Sequence, residues 1–283
     1  MADVIWRALG DPKHYIEPFC GSAAVLLARP HTPRNEIIGD LDCYLVNFWR
    51  SLKHDPAGVA DHARHLNSQS DMHARHRYLL DARHQLKEKI SIDPEYCDAK
   101  IAGYWVYGLS LWFGHGWTDD TYRDSHRRQQ LMKHQGVFAG CRRDLLGLFR
   151  RLSDRLERVV VINHSWSQTC SIPSMIVDDC GIFFDPPYSG EVGRNEGLYA
   201  EENLVVSHDV RRWCIEHQTQ CKIVLAGYIG EHNELESHGW RVHAWSTQGG
   251  LGHLGGENSR GKSNRHKERL WISPLCGGVE QKG

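Results

Sequence analysis

The chemistry of this 283-residue chain concentrates in the tetrapeptide Asp185-Pro-Pro-Tyr188. It follows the apolar run Gly181-Ile-Phe-Phe184, which reads as a buried strand. The acid therefore stands at a strand's carboxyl end, where open α/β sheets hold their ligands. Two consecutive prolines fix the backbone angles and remove two N–H donors. What remains is a rigid row of acceptors, the Asp185 carboxylate and the Pro186 carbonyl, with Pro187 stiffening the turn. Such a row suits the exocyclic amine of a purine or pyrimidine, whose lone pair is delocalised into its ring. Acceptors on its N–H groups favour a pyramidal nitrogen that can attack. Tyr188 adds a flat face on which an extruded base can stack, a contact worth about 1–3 kcal/mol. The same four residues also suit a plain strand-to-loop turn with a capping aspartate.

A second constellation opens the chain. Glu17-Pro-Phe-Cys-Gly21 follows a short apolar run from Tyr15, and Gly21 permits a close backbone turn before a helix whose N-terminus can face a ligand. Ala23 and Ala24 stand where a dinucleotide fingerprint requires glycine, which argues against a dehydrogenase. Asp40 closes the next strand, about 20 residues after the turn, where an acid can accept hydrogen bonds from ribose hydroxyls.

The elements that must position these groups follow an α/β pattern: strand Tyr15–Phe19, helix Ala23–Arg29, strand Glu36–Gly39, and a helix Tyr44–Lys53 capped from Asp40-Leu-Asp42. The pattern resumes with strands Arg158–Ile162 and Gly181–Asp185, a helix over Ser207–His217, strand Lys222–Ala226 and a helix over Glu231–Ser237. Strands Arg241–Trp245 and Arg269–Ser273 flank a Gly-rich polar loop, Thr247–Lys267, too long for simple packing. The expectation is an α/β fold: a doubly wound, Rossmann-like sheet with an inserted helical subdomain. Residues 1–54 and 158–276 form the sheet domain, 55–157 the insertion and 277–283 a tail. From Thr121 to Arg158 the insertion carries ten Lys and Arg against four Asp and Glu, the densest basic stretch in the chain. An Arg-rich solvated helix pair accounts for it equally well.

Composition narrows the class. Lys and Arg total 34 against 35 Asp and Glu, so the chain is no uniformly basic DNA-coating protein. The longest run free of charge, amide and His, Ile101–Gly114, is too short to span a bilayer, which needs about 18 residues. The first residues lack the basic and apolar regions of a signal peptide. Nine cysteines without a CxxC pair fit a reducing compartment rather than a disulfide framework. His-Ala-Arg-His occurs at His62–His65 and again at His73–His76. Asn67-Ser-Gln-Ser-Asp71 between them reads as a turn with a fresh N-cap, so a solvated basic face fits better than a metal site.

Glu17-Pro-Phe-Cys-Gly21, Gly39-Asp40-Leu-Asp42 and Asp185-Pro-Pro-Tyr188, in that order, resemble the Dam-type adenine-specific DNA methyltransferases. Ala102-Gly-Tyr-Trp-Val-Tyr-Gly108, Ala226-Gly-Tyr-Ile-Gly-Glu-His232 and Glu268-Arg-Leu-Trp-Ile-Ser-Pro-Leu-Cys276 resemble a phage and bacterial branch of that family. The resemblance implies S-adenosylmethionine as methyl donor, no metal, and an adenine amino group in DNA, double-stranded, as acceptor after base flipping. Asp185, Pro186, Pro187 and Tyr188 would be catalytic. Glu17, Pro18, Phe19, Gly21, Asp40, Ser165, Trp166 and Asp185 would bind the cofactor. Arg142, Arg143, Arg150, Arg151, Arg260 and Lys262 would contact DNA, with residues 55–157 selecting the target. It further implies the cytoplasm of a bacterial or phage-infected cell, a restriction-modification or phage setting, no membrane, and room for a protein partner. Two positions depart from the family's pattern. Trp6-Arg7-Ala8-Leu9-Gly10 precedes the first motif where a Gly-Gly-Lys segment is usual, and Ser165 stands in place of an acid. The residues alone also admit a methyltransferase-like binding module, or amino methylation of cytosine or RNA.

Overall fold

Four strands carry the centre of the molecule because their residues are apolar on both faces, the mark of a parallel sheet covered on each side. The computed structural model of the protein describes residues 1–64, 68–111, 117–118, 144–171, 179–187, 198–244 (for 198–204, the backbone) and 268–278. Among these, β1 (His14–Glu17), β2 (Asn35–Gly39), β3 (Val159–Ile162), β4 (Cys180–Phe184), β5 (Lys222–Tyr228), β6 (Arg241–Ala244) and β7 (Glu268–Ile272) form one sheet in the order β3-β2-β1-β4-β5-β7-β6. β1 runs parallel to β2 and β4, and β4 parallel to β5, whereas β7 lies antiparallel between β5 and β6. This is the mixed α/β architecture expected of a Rossmann-like methyltransferase fold.

The chain packs as two compact units, residues 1–38 with 166–283, and residues 39–165. In the first unit, helix α1 (Ala2–Leu9) buries Ile5, Trp6, Ala8 and Leu9. The Trp6 indole N–H donates to the Val25 carbonyl of the single-turn helix α2 (Ala24–Leu27) at 2.8 Å, and the ring packs on Tyr15 at 4.6 Å. Arg29 joins this layer to β2 through Glu36 at 3.1 Å, Asp11 at 2.7 Å and the Pro12 carbonyl at 2.8 Å. Within the same unit lie α8 (Trp166–Thr169), α9 (Leu198–His217) and α10 (Glu234–Ser237). The helix expected from Ser207 thus begins earlier, at Leu198. The one expected over Ala23–Arg29 shortens to Ala24–Leu27.

The second unit is helical apart from β3: α3 (Cys43–His54), α4 (Pro56–Ala63), α5 (Gln69–Ile92), α6 (Ala99–Leu109) and α7 (Leu145–Leu156). Aspartate or serine side chains cap each of these, Asp42, Asp55, Ser68, Asp98 and Asp144, satisfying amides that have no intrahelical acceptor. The fresh N-cap expected between the two His-Ala-Arg-His segments is Ser68. The solvated basic face is not found at the second segment, where Arg75 and His76 are buried. The Arg75 guanidinium lies 4.2 Å and 4.5 Å from the Tyr104 and Tyr107 ring centres, and His76 meets the Trp117 carbonyl at 2.9 Å. Gly103 lets α6 approach His62 of α4 so closely that a Cβ there would collide with it. The buried Arg50 donates to the Val161 carbonyl of β3 at 3.0 Å, tying α3 to the strand.

Candidate active site

Strand register decides which side chains share a face. Ile16 pairs with Ile182, which puts Glu17 in phase with Phe183 and hence with Asp185 two residues on. Phe184 pairs with Leu225, so Asp185 is also in phase with Ala226 and with Tyr228, and Tyr228 pairs with Glu268. Because side chains alternate along a strand, Glu17, Asp185 and Glu268 project to the same face. β1, β4 and β5 end at this edge and the antiparallel β7 begins there, so all three carboxyl groups gather at the sheet's carboxyl edge.

Glu17 is the most deeply set of the three, 2 % exposed. Its Oε2 accepts from the Tyr15 hydroxyl at 2.9 Å and from the Leu26 main-chain N–H at 3.1 Å. Burial pushes its carboxyl up to about 8, against those two hydrogen bonds, which favour the charged form, and the Asp185 and Glu36 charges add to the rise. The same burial, with the Asp185 charge, raises the Glu268 carboxyl. Asp185 is half-buried just past β4, Pro186 is buried and Pro187 exposed. A cation bound at this edge would draw these carboxyl groups toward their charged form.

The turn between β1 and α2 has the backbone that the sequence suggests. Gly21 takes a φ of 44°, in the left-handed region where glycine carries no steric penalty. The short α2 alters its role, however: one of its free amides, that of Leu26, is already taken by Glu17. The helix terminus thus anchors a carboxyl group that faces the site. Pro18 is buried, and the half-buried Phe19 ring lies 6.5 Å from Phe184. Trp166 meets the same Phe184 ring edge-on at 6.2 Å and Trp213 does so at 5.5 Å. Glu17, Pro18, Phe19, Gly21, Trp166 and Asp185 through Pro187 therefore all belong to the first unit.

In the second unit, Asp40 directly follows β2, and its Oδ1 accepts the Asp42 main-chain N–H at 2.9 Å. Its own N–H donates to the Ile162 carbonyl at 3.3 Å, and the Asn163 amide donates to its carbonyl at 2.8 Å. The half-buried Ser165 follows in that segment. Arg150 and Arg151 are exposed on α7, Arg151 lying 3.6 Å from Asp144. Tyr188, Arg142, Arg143, Arg260, Lys262 and the loop Thr247–Lys267 lie outside the described residues, as does most of the basic stretch that begins at Thr121.

The sequence reading missed Glu268. It began the last strand at Arg269, whereas β7 includes Glu268 and pairs it with Tyr228. An acid directly before the apolar run Leu270-Trp-Ile272, on a strand lying beside β5, was the available signal. Among the described residues no group of three or more His, Cys, Asp or Glu is arranged to hold a metal ion. Nor is any described helix long and apolar enough to cross a membrane.

Residues 1–114 match the model of a family described as D12 class N6 adenine-specific DNA methyltransferase. The matched segment contains Glu17, Gly21 and Asp40 and ends before Asp185. No curated protein matches the chain.

Proposed function

We propose, from the match of residues 1–114 to the model of the D12 class N6 adenine-specific DNA methyltransferase family, that the chain moves a methyl group from S-adenosylmethionine to adenine N6 in double-stranded DNA. The observation that carries this reading is the pairing of Glu17 with Asp185 on one face of the sheet's carboxyl edge, close enough for each charge to act on the other. One belongs to the family-matched segment and the other opens Asp-Pro-Pro-Tyr.

The donor set fits the cofactor. S-adenosylmethionine carries two positive groups, and carboxyl groups held this way offset positive charge in a site that shields them from water. When bound, it supplies an electrophilic methyl group on sulfur. Glu17, neutral when alone at neutral pH, would ionise beside that charge, held in place by Tyr15 and Leu26. Phe19 and Trp166, set about Phe184, offer aromatic surface to the adenosine, with Pro18 and Gly21 shaping the pocket. Asp40, its carboxylate oriented by the Asp42 N–H, would accept from the ribose hydroxyls.

Asp185 and the Pro186 carbonyl would accept the two N–H bonds of the target amine, Pro187 would fix the turn, and Tyr188 would stack on the base. An amine inside a duplex is out of reach of such a site, so the target base must be flipped out. Residues 1–54 and 158–276 would carry the chemistry and 55–157 target recognition, with Arg142, Arg143, Arg150, Arg151, Arg260 and Lys262 on phosphates. As proposed, the transfer asks for no metal. The setting would be the cytoplasm of a bacterial or phage-infected cell.

Incubation with S-adenosylmethionine labelled in its methyl group and unmethylated duplex DNA, followed by nucleoside analysis, tests the reading. Label in N6-methyladenine supports it. Label in cytosine, label in RNA alone, or none at all overturns it.

A further inference from the structure

Methylation of an amine leaves one proton too many on nitrogen; the Pro186 carbonyl is too weak a base to take it, and the Asp185 carboxylate, which holds the other N–H, must pass it on to be ready for the next turnover. Resting on the function proposed above, we propose that Glu268 is the base that takes this proton. Three observations carry the assignment. Glu268 opens β7 opposite Tyr228 and, by register, projects to the face of the sheet that bears Asp185 and Glu17. On β5 that face carries Ala226 in phase with Asp185 and Tyr228 opposite Glu268, so Glu268 lies one strand beyond β5 and two residues further toward the carboxyl edge. The Glu268 Oε2 is buried with no hydrogen-bond partner among the described residues, a costly state for a carboxyl oxygen and one that a proton handed on from Asp185 would relieve.

Among the described residues, the other charged groups nearby leave this carboxyl available. The Arg269 guanidinium donates to the main-chain carbonyl of Glu268 at 2.8 Å. On the opposite face, Glu231 is engaged by the Tyr228 N–H at 2.9 Å and by the Ser207 hydroxyl at 2.8 Å. Asp185 and Glu17 remain on the same face, and burial together with the Asp185 charge makes Glu268 a stronger base than a solvated carboxylate.

The balance is complete. The nitrogen lone pair forms the N–CH3 bond as the S–CH3 bond breaks and its electrons stay on sulfur, which becomes a neutral thioether. The N–H proton held by Asp185 then passes through that carboxylate to the Glu268 carboxylate and from there to solvent. No oxidant or further reactant is required.

Single-turnover methyl transfer at saturating cofactor and DNA, followed from pH 5 to pH 9, tests the proposal in the wild type, Glu268→Gln and Glu268→Asp, with folding checked by circular dichroism. The wild-type rate should fall on the acid side with a midpoint above the ordinary carboxylate range, because the protonated acid cannot accept. Glu268→Gln should lose 10²- to 10⁴-fold at neutral pH, the usual contribution of a general base, and lose that acid limb. Glu268→Asp should keep the limb and recover part of the rate. Should Glu268→Gln not fold, a Glu268→Asp profile identical in rate and midpoint to the wild type would overturn the assignment by itself. An active wild type with Glu268→Gln unchanged in rate and limb overturns this inference alone. A wild type that transfers no methyl group overturns the proposed function and this inference with it.

Discussion

The Glu17 carboxylate accepts the Leu26 main-chain N–H at 3.1 Å, so the last residue of β1 caps the helix that follows the glycine turn. The same oxygen receives the Tyr15 hydroxyl. A single acid therefore locks strand, turn and helix together, and it does so while buried where its charge is disfavoured.

That cost predicts a pH dependence of stability. The folded chain holds the Glu17 proton up to about 8, whereas the unfolded chain releases it near the ordinary value of 4.5. Stability is thus full below about pH 4.5 and falls as pH rises through 8, in proportion to about 1.4 kcal/mol for each pH unit between the two values. Glu17→Gln keeps an acceptor oxygen for Tyr15 and Leu26 but cannot ionise. Denaturant unfolding from pH 5 to pH 9 should show the variant losing several kcal/mol less than the wild type. Equal losses would remove Glu17 as the cause.

Asp40→Ala should weaken S-adenosylmethionine binding more than DNA binding. A carboxylate on ribose hydroxyls makes charge-assisted hydrogen bonds worth about 1.5–3 kcal/mol, or roughly 10–150-fold in affinity. Asp42, which caps α3, is untouched by the change, so the fold should be retained. Calorimetry showing wild-type cofactor affinity would leave Asp40 a turn residue whose carboxylate holds the Asp42 N–H.

Arg150→Ala with Arg151→Ala should flatten the salt dependence of DNA binding, because each lost phosphate contact removes about 0.9 from the logarithmic slope. Both side chains are exposed, and the Arg151–Asp144 pair, at 3.6 Å with about two thirds of each side chain in solvent, contributes little to stability. A double variant that binds DNA with the wild-type slope would put the phosphate contacts elsewhere.

The central strands and their edge were legible in the sequence because a doubly covered sheet demands continuous apolar runs. Ile182-Phe-Phe184 and Ile223-Val-Leu-Ala226 are such runs, the first ending at Asp185, whereas the equally apolar Val159–Ile162 forms an edge strand with Val160 exposed. What escaped depended on register or on partners far along the chain. Glu268 reads as the last residue of a polar loop until its pairing with Tyr228 sets it on the face of Asp185. Arg75 and His76 read as solvated charge because nothing local signals that Tyr104, Tyr107 and Trp117 enclose them. The helix over Ala23–Arg29 read too long because Arg29 turns away to a buried pair with Glu36, across a turn that composition does not reveal. Helix α1 carries no capping side chain to announce its start and is visible only in the apolar spacing of Ile5, Trp6, Ala8 and Leu9.

The central claim is that Asp185, at the carboxyl edge beside Glu17, holds the amine that receives the methyl group. Its most direct test is methyl transfer to adenine in duplex DNA by the wild type and by Asp185→Ala, with unfolding followed in parallel. Asp185 is half-buried at the end of its strand, so the variant should fold. It should lose transfer by several orders of magnitude, beyond the roughly hundredfold that begins the range for one lost acid–base contact. A folded Asp185→Ala protein that methylates adenine at nearly the wild-type rate would contradict the account.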